Sequence, residues 1–244
     1  MNRKYKSTIG AIPKIVNNFE PKTENQQLFH SKLGYEENQL VLCHGIAGTG
    51  KTYVSIYKAL QDVLRRGTVY DKLIIINPTV DVGNEDKLGF LPGELDKKIQ
   101  QYNESTFTIL DKIVGKDKAL KLVERNKVQI GVLNFLRGVN LENCYVILDE
   151  AQNVSPMQIK TLVTRISENC KMIIQGDMSQ CDKYKNNGEP AFEKSGFWDM
   201  WFRTNGVKGV DHMAFNREDC IRHPIVKRIL LTYEESQPIN LTLS

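Results

Sequence analysis

The stretch at residues 45–52 carries the clearest chemistry, because it fits the pattern G-x-x-x-x-G-K-[S/T] at each fixed position. Glycines let the backbone N–H groups of such a loop turn around phosphate oxygens, and the helix that follows adds a favourable dipole. We predict that Lys51 binds the β- and γ-phosphates of a nucleotide and that Thr52 ligates Mg²⁺. The predicted nucleotide-binding residues in this stretch are Gly45, Ala47, Gly48, Thr49, Gly50, Lys51, Thr52 and Tyr53.

Two carboxylates, Asp149 and Glu150, follow an apolar segment farther along the chain. Ligands of an open parallel sheet bind at the carboxyl ends of its strands, where these side chains would lie. We predict that Asp149 holds Mg²⁺, directly or through water, and that Glu150 orients or deprotonates the attacking water. The structural alternative is a surface acidic pair behind a core strand.

Another apolar segment ends at Gly176 and is followed by Asp177 and Gln180, either of which could contact a γ-phosphate or its water. A simple turn explains this segment equally well. Transfer of a γ-phosphate also gains from an arginine, supplied in cis or by another chain. The sequence leaves four arginines open for this role: Arg137, Arg165, Arg217 and Arg222.

The elements that must position these residues alternate between strands and helices. Strands are predicted at residues 39–43, 72–76, 127–130, 144–149, 171–175 and 209–215. Helices are predicted from an N-cap at Thr23 to Gly34, at 53–66, at 95–123 with a break at Gly115, at 155–166 and at 224–233. This alternation predicts an α/β fold with a mostly parallel central sheet flanked by helices. Residues 1–20 are interpreted as a basic arm, residues 21–244 as a single domain, and residues 81–93 and 183–188 as loops.

Composition adds weaker constraints. A net charge of +4 permits a nucleic-acid partner without requiring one. The five cysteines are scattered singly, which favours small core residues in a reducing cytoplasm over disulfides or metal ligands. No apolar run indicates a secretory signal or a transmembrane helix. The lysines and arginine of residues 112–127 are either a solvated helix face or a nucleic-acid surface, and the aromatics of 197–202 either packing residues or base-stacking ones.

Five motifs in their chain order resemble those of the PhoH family of cytoplasmic ATPases, and the chain's brevity resembles the phage-encoded members. The motifs lie at residues 45–52, 87–93, 146–153, 175–180 and 221–224. The resemblance implies a RecA-like P-loop NTPase core, related to the motor domains of superfamily 1 helicases, that binds ATP and Mg²⁺. It also implies links to phosphate starvation and RNA metabolism, and homo-oligomers that include hexameric rings.

The resemblance also implies roles for single residues. Gln26 would read adenine, and Gln152 and Gln180 would couple the γ-phosphate to the rest of the site. Arg222 becomes the preferred arginine, and we expect Arg222 or a neighbouring residue to complete the site of the next subunit in a homo-oligomer. The chain departs from the family pattern at Asn77, where an arginine usually precedes the proline, and in a longer loop before residue 88.

The first functional hypothesis is Mg²⁺-dependent ATP hydrolysis coupled to single-stranded RNA or DNA. The alternative is an ATP-switched module that binds a nucleic acid or a protein with little turnover. Ribonuclease activity is the least supported, since no residue cluster suggests a second catalytic metal.

Overall fold

The computed structural model describes residues 15, 17–78, 95–131, 133, 138, 140–181, 185–186, 189–226 and 228–229. Its helices are α1 (Glu24–Gly34), α2 (Lys51–Val63), α3 (Leu95–Val114), α4 (Lys116–Glu124), α5 (Pro156–Val163) and α6 (Gly196–Arg203). Its strands are β1 (Leu40–His44), β2 (Lys72–Ile76), β3 (Val128–Gly131), β4 (Cys144–Leu148), β5 (Cys170–Gly176), β6 (Lys185–Asn186), β7 (Glu189–Pro190) and β8 (Val210–Ala214).

The central sheet has six strands in the order β3-β2-β4-β5-β1-β8, and every pair in it is parallel. The predicted mostly parallel sheet is therefore confirmed. Strand β5 lies between the strand before the glycine-rich loop and the strand before the two carboxylates, with Cys43 opposite Gln175 and Leu148 opposite Ile174. The carboxyl ends of β1, β5 and β4 consequently meet at one edge of the sheet.

Both faces of this sheet are covered, which explains why its central strands are almost entirely apolar. One core cluster joins the sheet to α1, α2, α3 and α4, and a second joins it to α5 and α6. Alternate residues of β4 enter the two clusters, with Ile147 in the first and Val146 and Leu148 in the second.

Local sequence signals for helix ends are confirmed at three positions. The Thr23 hydroxyl accepts a hydrogen bond from the backbone of Gln26 at the start of α1. Ser155 and Gln158 form a reciprocal capping box at the start of α5. Gly115, at a φ of 84°, separates α3 from α4.

Two loop predictions have different outcomes. The loop expected at 183–188 is wrong in part, because β6 and β7 pair there as an antiparallel ribbon with Asn186 opposite Glu189. The loop predicted at 81–93 lies outside the described residues. For the helix predicted at 224–233, the described residues 224–226 and 228–229 are helical.

The aromatic group in and around α6 mainly serves packing. Phe197 is fully buried, and Trp198 and Trp201 pack against the second core cluster. Phe202 is 48% exposed and lies 4.6 Å from the ring of Trp198. All five cysteines are buried and none forms a disulfide, as predicted. Among the described residues, no helix combines the length and apolar character needed to cross a membrane.

A buried lysine fixes the end of α1. Lys171 on β5 donates hydrogen bonds to the carbonyl oxygens of Leu33, at 2.8 Å, and Tyr35, at 2.7 Å. Burial lowers the pKa of Lys171 to about 8. Because the opposite end of α1 touches the glycine-rich loop, this contact helps to hold the helix that supports the site.

We expect Lys171→Met to lower the free energy of unfolding by about 1–3 kcal/mol at neutral pH, because two carbonyl groups lose their donor. The lowered pKa means that the unfolded chain binds more protons between pH 8 and 10.5, so the stability contributed by Lys171 rises with pH across that window. Denaturant unfolding at pH 7 and pH 9 measures both effects.

The exposed Lys118 provides the control, and Lys118→Met should change stability by less than about 0.5 kcal/mol. If the free energies of unfolding of wild type and Lys171→Met differ by the same amount at pH 7 and at pH 9, Lys171 does not have the lowered pKa on which this prediction rests.

Candidate nucleotide-binding site

The phosphate loop, residues 45–52, connects β1 to α2 and is closed around its own lysine. Gly48 and Gly50 have φ values of 86° and 88°, a conformation that side chains with a Cβ rarely adopt. The Lys51 ammonium donates to the carbonyl oxygens of Gly45 and Ile46. In this arrangement the lysine lies inside the loop that the sequence predicts to surround phosphate.

Thr52, in the first turn of α2, meets Asp149 at the end of β4. The Thr52 hydroxyl donates to Oδ2 of Asp149 at 2.9 Å. The backbone N–H of Asp149 donates to the Ile76 carbonyl oxygen of β2, which ties the acidic turn, residues 149–150, to the sheet. The structure thus brings together the two residues predicted from separate motifs as Mg²⁺ ligands.

These residues fit a magnesium ion held jointly by protein and nucleotide. Mg²⁺ is usually bound by one or two carboxylates together with substrate phosphates rather than by a cage of protein side chains. Thr52 and Asp149 supply hard oxygen atoms beside the phosphate loop. Within the described part of the chain, no group of three or more His, Cys, Asp or Glu side chains could hold a metal ion.

Gln175 is the site residue that the sequence analysis missed. Its amide nitrogen lies 3.0 Å from both the Thr52 hydroxyl and Oδ1 of Asp149, and its amide oxygen accepts from Ser55. Gln175 and Ser55 are fully buried. A strongly polar side chain directly after the apolar residues 172–174 was the available signal, since such a group requires buried partners.

Glu150 lies beside this pair in a strained backbone conformation, with a φ of 50°. Its carboxylate accepts a hydrogen bond from the amide nitrogen of Gln152 at 2.7 Å. Partial burial and the charge of Asp149 raise the pKa of Glu150, while the bond from Gln152 and the charge of Lys51 oppose that rise. A carboxylate with a raised pKa beside a phosphate loop is suited to accepting a proton.

Gln152 connects Glu150 to the turn after β5. Its amide oxygen accepts from the backbone N–H of Asp177 at 3.0 Å. A Cβ at Gly176 would lie only 2.6 Å from that oxygen, so this approach requires glycine. Asp177 is 4% exposed, and its Oδ1 accepts from Ser179. Gln180 is exposed in the same turn, and its backbone N–H donates to Asp177.

Two segments contact the phosphate loop from outside. From α1, the amide nitrogen of Gln26 donates to the Thr49 carbonyl oxygen at 2.9 Å, and its amide oxygen accepts from the backbone of Lys22. Both ends of the Gln26 amide are therefore engaged with the chain, and its role with adenine stays a prediction. Tyr53 stacks with Tyr57, and their ring centroids are 6.2 Å apart.

The second segment is the strap, residues 216–222, which follows β8. Its Ile221 N–H donates to the Gly48 carbonyl oxygen at 3.0 Å. The Arg222 side chain lies directly over Gly48, since a Cβ added there would be 2.7 Å from Cγ of Arg222. A hydrogen bond from Asn25 to Asp219 joins the strap to α1.

This geometry separates the candidate arginines. Arg222 was expected to serve the next subunit, but here its side chain lies on the phosphate loop of its own chain. Arg217 belongs to the strap, whereas Arg165 lies between α5 and the start of β5 and therefore at the opposite edge of the sheet. Arg137 lies outside the described residues.

Known proteins are similar in sequence to this chain over most of its length. Residues 18–234 match the PhoH-like protein family. A PhoH-like protein of Bacillus subtilis is 38% identical over 200 residues, which are 82% of this chain and 60% of that protein. A PhoH-like protein of Synechocystis is 37% identical over 202 residues, covering 83% and 58%. The Escherichia coli protein PhoH is 33% identical over 211 residues, covering 86% and 57%.

The chain spans about three fifths of the length of these relatives. Among solved structures, the large terminase of a thermophilic bacteriophage aligns with a TM-score of 0.51 and 11% identity, over 90% of this chain and 51% of that one. At that identity the likeness concerns the fold alone, and it agrees with the predicted RecA-like α/β architecture, which is confirmed. The sequence matches show that this P-loop NTPase chain belongs to the PhoH-like protein family.

Proposed function

We propose that this chain binds ATP with Mg²⁺ and hydrolyses it, and that hydrolysis is coupled to a single-stranded nucleic acid. The observation that carries the proposal is the contact between Thr52 of the phosphate-loop helix and Asp149 of the acidic turn, with Glu150 beside it. Residues from two distant motifs converge there on one sheet edge, in the arrangement that phosphoryl transfer requires.

Each residue has a separate task in this proposal. The Lys51 ammonium exchanges its contacts with loop carbonyls for the β- and γ-phosphates. Thr52 and Asp149 hold Mg²⁺, which when bound neutralises charge that develops on the phosphates. Glu150 accepts the proton of the attacking water, and its raised pKa brings it closer to the pH at which proton acceptance is efficient.

Arg222 acts in cis in this proposal, because its side chain already lies over Gly48. A guanidinium at that position can stabilise charge on the transferred phosphoryl group. Assembly into a homo-oligomer stays a prediction, and Arg222 does not need a neighbouring subunit to reach its own loop.

The nucleic-acid partner is supported by the family resemblance to helicase motor domains and by the net charge of +4. The second candidate is a nucleotide-switched module with little turnover. One observation favours it: the Glu150 carboxylate is already engaged by Gln152, so the site as it stands resembles a resting state.

The hydrolysis proposal predicts a separation between binding and turnover. Glu150→Gln should retain ATP binding and lose about 100-fold or more in turnover, because the base is removed while the phosphate contacts remain. Lys51→Ala should lose ATP binding itself. Equilibrium binding of a fluorescent ATP analogue and release of phosphate measure the two properties.

The exposed Glu142 on the opposite edge offers a matched control, and Glu142→Gln should leave both properties at the wild-type level. If Glu150→Gln turns over ATP as fast as the wild type, Glu150 is not the general base. If Lys51→Ala binds ATP as tightly as the wild type, the phosphate loop is not the nucleotide-binding site.

The pH dependence of hydrolysis provides a second prediction. A base with a raised pKa becomes protonated at a higher pH than an ordinary glutamate, so turnover should fall on acidification before an unperturbed carboxyl would titrate. Gln152→Leu removes the hydrogen bond that opposes the rise, and should move this acid limb to higher pH. Profiles of kcat against pH measure the shift.

Gln27→Leu, on the exposed side of α1, is the control and should keep the wild-type profile. An acid limb that does not move in Gln152→Leu would show that the Gln152 contact does not influence the titrating group.

The nucleic-acid part of the proposal is tested by turnover with and without single-stranded RNA and DNA at several salt concentrations. We expect one polymer to raise the turnover, and we expect its half-maximal concentration to increase with salt as phosphate contacts weaken. Turnover that ignores both polymers at every salt concentration would contradict the coupling and would point to a protein partner instead.

A further inference from the structure

Gln175, near the end of β5, contacts both the start of α2 and Asp149 of the acidic turn. Its side chain is fully buried, and it lies in register with Cys43 of β1 on one side. On the other side, β4 pairs with β5 up to Leu148, so Asp149 follows next to Gln175. A buried amide at this position must satisfy both its donors and its acceptor inside the protein.

The orientation of this amide is fixed by charge. An ionised carboxylate only accepts hydrogen bonds, so the nitrogen of Gln175, and not its oxygen, must face Asp149. The amide oxygen then faces Ser55 of α2, whose hydroxyl donates to it at 2.7 Å. Rotating the amide by half a turn would place its oxygen against the carboxylate and would leave Ser55 facing a donor.

The fixed amide in turn orients the Thr52 hydroxyl. The Thr52 oxygen accepts from Gln175 at 3.0 Å and donates its only hydrogen to Asp149 at 2.9 Å. A hydroxyl oxygen has two lone pairs, so one lone pair of Thr52 remains available. Asp149 likewise receives Gln175 on Oδ1 and Thr52 on Oδ2, which holds its carboxylate in one rotamer.

We propose that Gln175 is the positioning residue that sets the Mg²⁺ affinity of this site, by holding Thr52 and Asp149 in ligand-ready orientations before a nucleotide arrives. Ser55 supports it by fixing the amide. The inference rests on the proposed function, since it assumes that Thr52 and Asp149 bind Mg²⁺ together with a nucleotide. In this role Gln175 acts through its contacts with Thr52 and Asp149.

Positioning and simple core packing make different predictions. A packing residue would change stability while leaving the metal dependence of nucleotide binding intact. A residue that orients metal ligands typically changes metal affinity by about 10–100-fold when it is lost. The informative quantity is therefore the factor by which Mg²⁺ strengthens the binding of a nucleotide, measured without any turnover.

The test compares the dissociation constant of a fluorescent, non-hydrolysable ATP analogue in Mg²⁺ with that in EDTA. We expect Gln175→Met, which keeps the length but loses the donors, to reduce the strengthening by Mg²⁺ about tenfold or more and to keep the affinity in EDTA. Ser55→Ala should cause a smaller loss in the same direction, because the amide is still present but less firmly held.

Asn38→Leu is the matched control. Asn38 also has a buried amide, but its nitrogen donates to the Lys32 carbonyl oxygen and to Asp211, and not to the two predicted ligands. Its replacement should leave the strengthening by Mg²⁺ unchanged. Thermal melting of each variant establishes that it is folded, and Ser55→Ala decides the question if Gln175→Met does not fold.

The outcomes separate this inference from the proposed function. A wild-type chain that does not bind the analogue in either buffer refutes the proposed function. A wild-type chain that binds more tightly with Mg²⁺, with Gln175→Met and Ser55→Ala showing the same factor, overturns the role of Gln175 alone. A loss of equal size in Asn38→Leu would also overturn it, because the effect would not be specific to the contacts with Thr52 and Asp149.

Discussion

The site depends on the contact between Thr52 and Asp149, which joins two strand ends that are not neighbours in the sheet. Strand β5 separates them, so the loop after β1 must reach across β5 to meet the turn after β4. The start of α2 provides this reach, and the buried Gln175 amide fills the space between the two side chains. A sheet with a different strand order would leave the hydroxyl and the carboxylate apart, however well each motif were formed.

Other contacts keep the phosphate loop in the conformation that this meeting requires. Gln26 bonds the loop from α1, Ile221 bonds it from the strap, and Asn25 links α1 and the strap to each other. The far end of α1 is held in turn by Lys171 on β5. Hydrogen bonds within the protein thus hold the phosphate loop from several sides before any nucleotide binds. Such preorganisation lowers the entropic cost of binding.

Most of the fold, and the motifs that meet at the candidate site, could be predicted from the sequence, because their signals are local. Apolar runs mark the buried strands, Thr23 and Ser155 mark helix starts, and the phosphate loop has a fixed spacing. The contact of Arg222 with its own loop could not be predicted, since it depends on where β8 joins the sheet. Gln175 was missed for a related reason: its polar partners come from α2 and β4, which lie far from it in sequence.

The most direct test of the account is phosphate release from ATP by the wild-type chain and by Asp149→Asn, each in Mg²⁺ and in EDTA. Asparagine keeps the size of the side chain but has no carboxylate to ligate a metal. Its amide has a single oxygen, so it cannot accept hydrogen bonds from Thr52 and Gln175 on two separate oxygen atoms as Asp149 does. We expect the wild-type chain to release phosphate only when Mg²⁺ is present, and we expect no release by Asp149→Asn in either buffer. Mg²⁺-independent release, or equal release by Asp149→Asn, would contradict it.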